Sequence, residues 1–285
     1  MKFYLSSFSA AFAFLFALSG AGLCADGGLT ASEERQAFPE PPVFTKYEKD
    51  MAKTYPEYFT INPKSVKVTL LSVTEEPDMS YVKLAEQPPK DLAGVLVSID
   101  QIVNIASKIW QIVKDNVPVV NIDTKYATAY PQGITAASQL SQWSKPKSYT
   151  YGFYAENLYG SVMIDCKYKF SYTYNGSYKG KGKYLTGVAV IPKVADVGWG
   201  YKFYMSASVP DSTITNTGTD TDPVAAMQMK LTWKMATVLK ESNGTSVYYV
   251  QGDGFFEEIA NPWKQQLQAE DVEAARPLLD PAKVF

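Results

Sequence analysis

Hydrophobic and polar residues alternate along much of the second half of the chain. The longest run covers residues 161–174, where one set of alternate positions is apolar or aromatic and the other is small or charged. A period of two is typical of a β-strand with one buried and one polar face. The buried face is predicted to comprise Val162, Ile164, Cys166, Tyr168, Phe170, Tyr172 and Tyr174.

Two later strands are predicted from the same alternation. The first has Trp199, Tyr201, Phe203, Met205 and Ala207 on one face. The second has a methionine-rich face of Ala225, Met227, Met229, Leu231, Trp233 and Met235. Asn175-Gly176 and Asn243-Gly244 are each expected to form a hairpin turn, because both residue types accept the positive φ of a two-residue turn.

Residues 96–115 follow a different period. Their apolar side chains recur at steps of three and four, which predicts an amphipathic helix. Ser98 is a suitable N-cap for it, and Pro118 would force the chain out of helix. A short helix is also expected at Lys46–Thr54. The periodic positions are Ile99, Ile102, Val103, Ala106, Ile109, Trp110 and Val113.

The order of these elements predicts the fold class. Successive strands joined by short turns favour antiparallel pairing over βαβ units. One buried and one polar face per strand favours two stacked sheets. We therefore predict a mainly β protein, an antiparallel β-sandwich of about nine strands with one long amphipathic helix (96–115) packed on it; a closed β-barrel is the alternative.

The N-terminus has the features of a secretory signal peptide over residues 1–25. Lys2 supplies the positive charge and an apolar run follows, ending in small residues. Cleavage is expected near Cys24-Ala25, which would place the protein outside the cell, in the periplasm or at the cell surface. Lipidation of Cys24 is a lesser alternative, because the residues before it fit a lipoprotein signal poorly.

The rest of the 285-residue chain is predicted to have three parts. Residues 26–63 are interpreted as a proline-rich N-terminal arm. Residues 64–260 are interpreted as a single β-sandwich domain with the helix inserted, and residues 261–285 as a C-terminal tail.

Composition excludes several kinds of chemistry. The net charge is −2, so there is no basic excess for nucleic acid. The chain has no histidine, which excludes Ser-His-Asp and Cys-His catalysis and the usual zinc sites. Cys24 and Cys166 are the only two cysteines. Cys166 falls on an apolar face, so we expect an inert buried thiol there.

Two groups of acidic residues are candidates for a catalytic or a calcium site. Asp253, Glu257 and Glu258 could supply the paired carboxylates of a glycosidase, but adjacent strand residues point to opposite faces. A loop with Asp220 and Asp222 contains oxygen ligands suited to calcium, yet it lacks the glycine and distal glutamate of a calcium-binding hand. Accordingly, no catalytic, cofactor-binding or metal residue is assigned.

The chain is rich in aromatic residues, with 20 Tyr, 14 Phe and 5 Trp. Most are expected in the core, and some could stack on sugars or other ligands. The leading hypothesis is a secreted or cell-envelope protein with a non-catalytic binding or structural role; a surface glycan, an envelope protein or a membrane would be its partner. The alternatives are a pore former that inserts the 161–191 hairpin into a bilayer, and a carboxylate-dependent glycosidase or lyase.

Overall fold

The computed structural model describes residues 38, 41–80, 82–84, 90–114 and 122–262. These residues form a mainly β structure with one α-helix, α1 (Lys46–Thr54), and three 3-10 turns at Pro63–Ser65, Ala137–Gln139 and Asp211–Thr213. The strands are β1 (Lys67–Glu75), β2 (Val82–Leu84), β3 (Ser98–Val103), β4 (Ile109–Val113), β5 (Ile122–Thr124), β6 (Ala127–Gln132), β7 (Lys147–Glu156), β8 (Val162–Tyr178), β9 (Lys181–Val197), β10 (Tyr201–Ser208), β11 (Thr215–Asn216), β12 (Ala225–Thr237), β13 (Glu241–Gln251) and β14 (Phe256–Ala260).

The strands form two antiparallel sheets. Sheet 1 has the order β1-β7-β8-β9-β6-β3. Sheet 2 has the order β14-β13-β12-β10-β4, with the short β11 beside β12. A separate parallel pair joins β2 and β5. The end strands of each sheet have one neighbour apiece among the described residues, so the barrel considered as the alternative architecture is not formed.

The alternating faces predicted from the sequence form the interior between the sheets. The Tyr168 and Tyr248 hydroxyls meet at 2.9 Å across it. The Phe153 ring lies 5.0 Å from both Phe203 and Trp233 of the other sheet, measured between ring centroids. The core assignment is confirmed for the alternate positions from Ile164 to Tyr172 and from Tyr201 to Ala207, whereas Val162 and Trp199 are 51% and 47% exposed.

The helix predicted over 96–115 is wrong. Its described part forms two strands, β3 on the edge of sheet 1 and β4 on the edge of sheet 2. Asn104 holds the connection between them, since its side-chain oxygen accepts hydrogen bonds from the backbone N–H groups of Ala106 and Thr128. The segment is rich in isoleucine and valine, which favour strands. In so dense an apolar sequence, helical spacing also arises by chance.

Both Asn-Gly pairs lie within strands and not at turns, which corrects the prediction for each. Gly176 lies in β8 and Gly244 in β13, paired with Trp233. A Cβ on Gly176 would overlap the Trp143 indole, and one on Gly244 would overlap the Trp233 indole. In both places an aromatic ring covers the bare backbone, so the glycine provides space for packing.

Other expectations have mixed outcomes. Helix Lys46–Thr54 is confirmed, and Thr45 and Glu48 form a capping box at its start. The strands outnumber the nine expected, partly because the predicted long helix is two strands. The division into arm, domain and tail stays a prediction. The signal peptide and most of the tail lie outside the described residues. No described helix is long and apolar enough to cross a membrane.

Candidate binding surface

Exposed aromatic side chains collect at one end of the two-sheet structure, around the β9–β10 turn. Trp199 in that turn is 47% exposed, and Tyr47 of α1 is 66% exposed. The ring centroids of Tyr47 and Trp199 are 5.6 Å apart. The Phe59 ring also contacts Trp199, with the same centroid distance of 5.6 Å. We call Tyr47, Tyr58 and Trp199 the aromatic platform.

Two glycines explain why Trp199 is exposed. Gly200 has φ +78°, which favours glycine, and a Cβ there would overlap the Phe59 ring. A Cβ on Gly198 would overlap the Met163 side chain. Phe59 and Met163 therefore fill the space against the turn, while the indole of Trp199 projects outward.

The segment after α1 closes this end of the interior. Tyr201 donates its hydroxyl to the carbonyl of Tyr58, and Tyr58 donates its own hydroxyl to the carbonyl of Trp199 at 3.2 Å. The N–H of Asn62 donates to Glu156 of β7 at 2.8 Å. Phe59 is 1% exposed and Tyr201 is fully buried. The platform therefore rests on a buried, hydrogen-bonded base.

A groove at the end of β8 and β9 next to the β9–β10 turn adjoins the platform. It is lined by Val162, Met163, Asp165, Ala195, Asp196, Val197 and Gly198. Asp165 of β8 lies directly opposite Asp196 of β9, and Tyr154 of β7 lies opposite Asp165 on its other side. Opposed residues of neighbouring strands share a face, so these three form one polar row across the sheet.

Asp165 and Tyr154 of the polar row each contact a charged neighbour. Asp165 has a long contact of 3.9 Å to the ammonium of Lys167. The Tyr154 hydroxyl donates to Glu156 at 2.7 Å, and this hydrogen bond is the main cause of a raised pKa at Tyr154. Exposed carboxylate oxygens in such a row accept hydrogen bonds from ligand hydroxyl or ammonium groups.

The acids singled out in the sequence are not brought together as a catalytic pair. Asp253 lies in the β13–β14 turn and accepts the N–H of Phe255. Glu257 is exposed on β14, whereas Glu258 is half-buried and accepts a hydrogen bond from Asn261. The opposite faces expected for the two glutamates agree with this exposure pattern.

The loop considered for calcium uses its oxygen atoms on its own backbone. Asn216 accepts from the N–H groups of Gly218 and Val224, and Asp222 accepts from Gly182. Among the described residues, no three acidic, histidine or cysteine side chains are grouped as metal ligands. These contacts are those of an ordinary Asx-stabilised loop.

Cys166 is fully buried, as predicted, and is a free thiol. Burial, together with the smaller effect of the nearby Asp165 and Asp196 carboxylates, raises the pKa of its thiol to about 12. A thiol of that pKa carries almost no thiolate at neutral pH. Its reactivity is therefore suppressed.

Sequence reasoning missed the platform and Asp196. Trp199 was placed on a strand face with Tyr201, but β10 begins only at Tyr201 and Trp199 belongs to the turn. The available signal was the Gly198-Trp199-Gly200 triplet, because glycines on both sides are typical of a turn.

Comparison with known protein families, curated proteins and solved structures finds no match.

Proposed function

We propose that this chain is a secreted or cell-envelope β-sandwich protein that binds a ligand without catalysing a reaction. The single observation that carries the proposal is the half-exposed Trp199, in ring contact with Tyr47 outside the sealed core. Closure of this end is already achieved by the buried Phe59 and Tyr201. The exposed rings thus add aromatic surface that packing does not require. The extracytoplasmic location rests on the sequence of residues 1–25.

The ligand class that best fits this surface is a neutral glycan. Sugar rings present C–H faces, which pack on aromatic rings, and hydroxyl groups, which donate to carboxylates. The platform offers the first contact and the row of Tyr154, Asp165 and Asp196 offers the second. A glycan chain lying from Trp199 across Gly198 into the groove would use both.

The same acids argue against a membrane as the partner. An anionic bilayer attracts basic surface groups, whereas Asp165, Asp196 and the nearby Glu57 are acidic. Desolvation, and then the negative charge of Glu57, raise the pKa of Tyr159. Tyr159 is itself 55% exposed at this end. The electrostatics of the surface therefore favour an uncharged or cationic ligand.

The 161–191 hairpin of the pore-former hypothesis comprises β8 and the first part of β9, up to residue 191. Both strands lie in the middle of sheet 1, between β7 and β6. Tyr168 is bonded to Tyr248 of sheet 2, and Tyr172 donates to the carbonyl of Gly254 at 2.9 Å. Insertion would have to break these contacts and expose the core, which makes this the less favoured proposal.

The proposal is tested by binding of the purified protein to a panel of soluble neutral polysaccharides, followed by affinity electrophoresis and tryptophan fluorescence. We expect retardation by at least one polysaccharide. Replacing Asp165→Asn or Asp196→Asn should weaken binding about tenfold, the effect of losing one charged hydrogen-bond acceptor. Asp220→Asn, in the exposed loop before β12, is the matched control and should leave binding unchanged.

Two further assays separate the alternatives. Release of reducing ends from a bound polysaccharide would contradict the non-catalytic proposal and would favour the glycosidase hypothesis. Dye release from liposomes would favour the pore former. Absence of binding to every polysaccharide would overturn the glycan as the ligand class.

A further inference from the structure

β1 forms an edge of sheet 1 and differs from the other sheet edges. It pairs with β7, and within the described residues no strand pairs with its other side. It is also exposed on nearly its whole length, with Leu70 at 48%, Leu71 at 51% and Val73 at 55%. An exposed edge of this kind presents free N–H and C=O groups to a further strand.

The exposure follows from the unequal width of the two sheets. Sheet 2 ends at β14, whose Phe256 stacks on Tyr149 of β7 with ring centroids 3.8 Å apart. β1 lies one strand further out. Its pairing register places Leu70 beside Tyr151 and Val73 beside Tyr149. Tyr151 is a core residue, and Tyr149 packs against the core. The apolar row of β1 therefore faces inward at a level where no described strand covers it.

The middle of β1 lacks the charges that usually protect an edge. Natural edge strands carry lysine, proline or inward-pointing charges. β3 contains Asp100, and β14 contains Glu257 and Glu258. β4 has no charge, but its residues are buried or half-buried. β1 is uncharged from residue 68 to 74 and has only a bulge between Leu70 and Ser72.

The two ends of β1 carry opposite charges, with Lys67 at the start and Glu75 at the end. Antiparallel pairing of β1 with a second β1 brings the positive end of each strand to the negative end of the other. A parallel pairing would place like charges together. Antiparallel pairing about a two-fold axis is also the symmetry that closes a dimer.

We propose that β1 pairs antiparallel with β1 of a second copy, so that sheet 1 continues across a dimer. Paired residues must share a face, and the bulge shifts the alternation by one position. The register that satisfies both conditions places Leu70 of one copy opposite Val73 of the other, and Thr69 opposite Thr74. Leu70 and Val73 of the two copies then lie side by side on the inward face, and Lys67 of each copy lies opposite Glu76 of the other.

Cysteine cross-linking tests this register directly. In chains carrying Cys24→Ser, an equal mixture of Leu70→Cys and Val73→Cys proteins should form a disulfide-linked dimer on mild oxidation, since opposed strand residues are within disulfide reach. Cys166 is buried and does not compete. The matched control mixes Leu70→Cys with Thr74→Cys, which faces outward, and should remain uncross-linked. Equal cross-linking of both mixtures would overturn the register.

Sedimentation analysis tests the dimer itself. The unmodified chain should sediment as a concentration-dependent dimer, and Leu70→Lys/Val73→Lys should be monomeric because like charges then oppose each other. Its folding is checked by circular dichroism and by a retained thermal transition. A monomeric unmodified chain, or a dimer that persists in the folded lysine variant, would overturn the proposal.

Discussion

The two ends of the structure are closed by different chemistry. At the end near the β8–β9 turn, backbone hydrogen bonds join the sheets: Asn175 donates to the carbonyl of Gly252, and Lys183 donates to that of Pro223, both at 2.8 Å. We call this the hydrogen-bonded end. The opposite, aromatic end is closed mainly by rings, with Phe59 and Tyr201 buried beneath Trp199.

This difference indicates which exposed aromatic side chains are not needed to close the interior. At the hydrogen-bonded end, directional backbone contacts fix the closure and the loops above it are polar, as in residues 216–222. At the aromatic end, the buried rings seal the interior and a second layer of rings remains in contact with solvent. That outer layer, Tyr47 and Trp199, is where we place ligand binding.

Removal of the inner ring should have the largest effect on stability. Phe59→Ala is expected to lower the free energy of unfolding by about 3–5 kcal/mol, the range for deleting a buried phenylalanine side chain. It should also weaken ligand binding, because Trp199 loses a ring that it packs on. Urea unfolding followed by fluorescence measures the first effect. A loss below about 1 kcal/mol would show that the ring does not seal this end.

The hydrogen-bonded end should be sensitive to a single methyl group. A Cβ on Gly252 would overlap the backbone carbonyl of Lys183, which cannot swing away. Gly252→Ala should therefore cost about 1–3 kcal/mol of unfolding free energy, as for other overpacked sites, while ligand binding is retained. Gly152→Ala is the control, because Gly152 has no positive φ and a Cβ there would meet only the movable Leu71 side chain, at 3.3 Å. Equal losses in the two variants would contradict a tight closure.

The tyrosines between the two ends predict alkaline sensitivity. Burial raises the pKa of Tyr168 and of Tyr248 well above 10.0. The unfolded chain then loses these protons first, so stability is constant below pH 10 and falls as the pH rises through the unfolded pKa. The slope should be about 1.4 kcal/mol per pH unit for each such tyrosine.

Denaturation midpoints between pH 8 and 11 measure this dependence. The double variant Tyr168→Phe/Tyr248→Phe removes both titrating hydroxyls together and should show a shallower decline above pH 10. It also leaves neither hydroxyl without its partner. An unchanged slope would assign the alkaline sensitivity to other groups.

The local alternation of apolar and polar residues predicted the core strands, because successive residues of a strand point to opposite faces. The period of two in β8 and β12 is visible without knowledge of the partner strand, and their apolar faces are buried except at the two ends of the β8 face, Val162 and Tyr174. The segment 96–115 failed for the opposite reason. Its isoleucines and valines satisfy both periods, so the neighbours β6 and β10 decide between helix and strand.

The candidate site was less predictable than the fold because it depends on distant contacts. Tyr47, Asp165 and Trp199 come from a helix, a strand and a turn that meet only in the folded chain. The two Asn-Gly pairs failed similarly, since an indole from elsewhere in the fold covers each glycine. Turn propensity is local, whereas the space that an aromatic ring needs is not.

The outer ring should have the smallest effect on stability and a large effect on function. Trp199→Ala is compared with Phe255→Ala at the opposite end of sheet 2, where Phe255 is 49% exposed against 47% for Trp199. Both should lower unfolding free energy by about 1 kcal/mol or less, because each ring is half in solvent.

Titration of both variants with the polysaccharide that the unaltered protein binds tests the central claim most directly. We predict that Trp199→Ala reduces affinity about tenfold, since a ring-stacking contact contributes up to about 1.5 kcal/mol. Phe255→Ala should bind as the unaltered protein does. Equal affinity of the two variants, or a loss only in Phe255→Ala, would contradict ligand binding at the aromatic end.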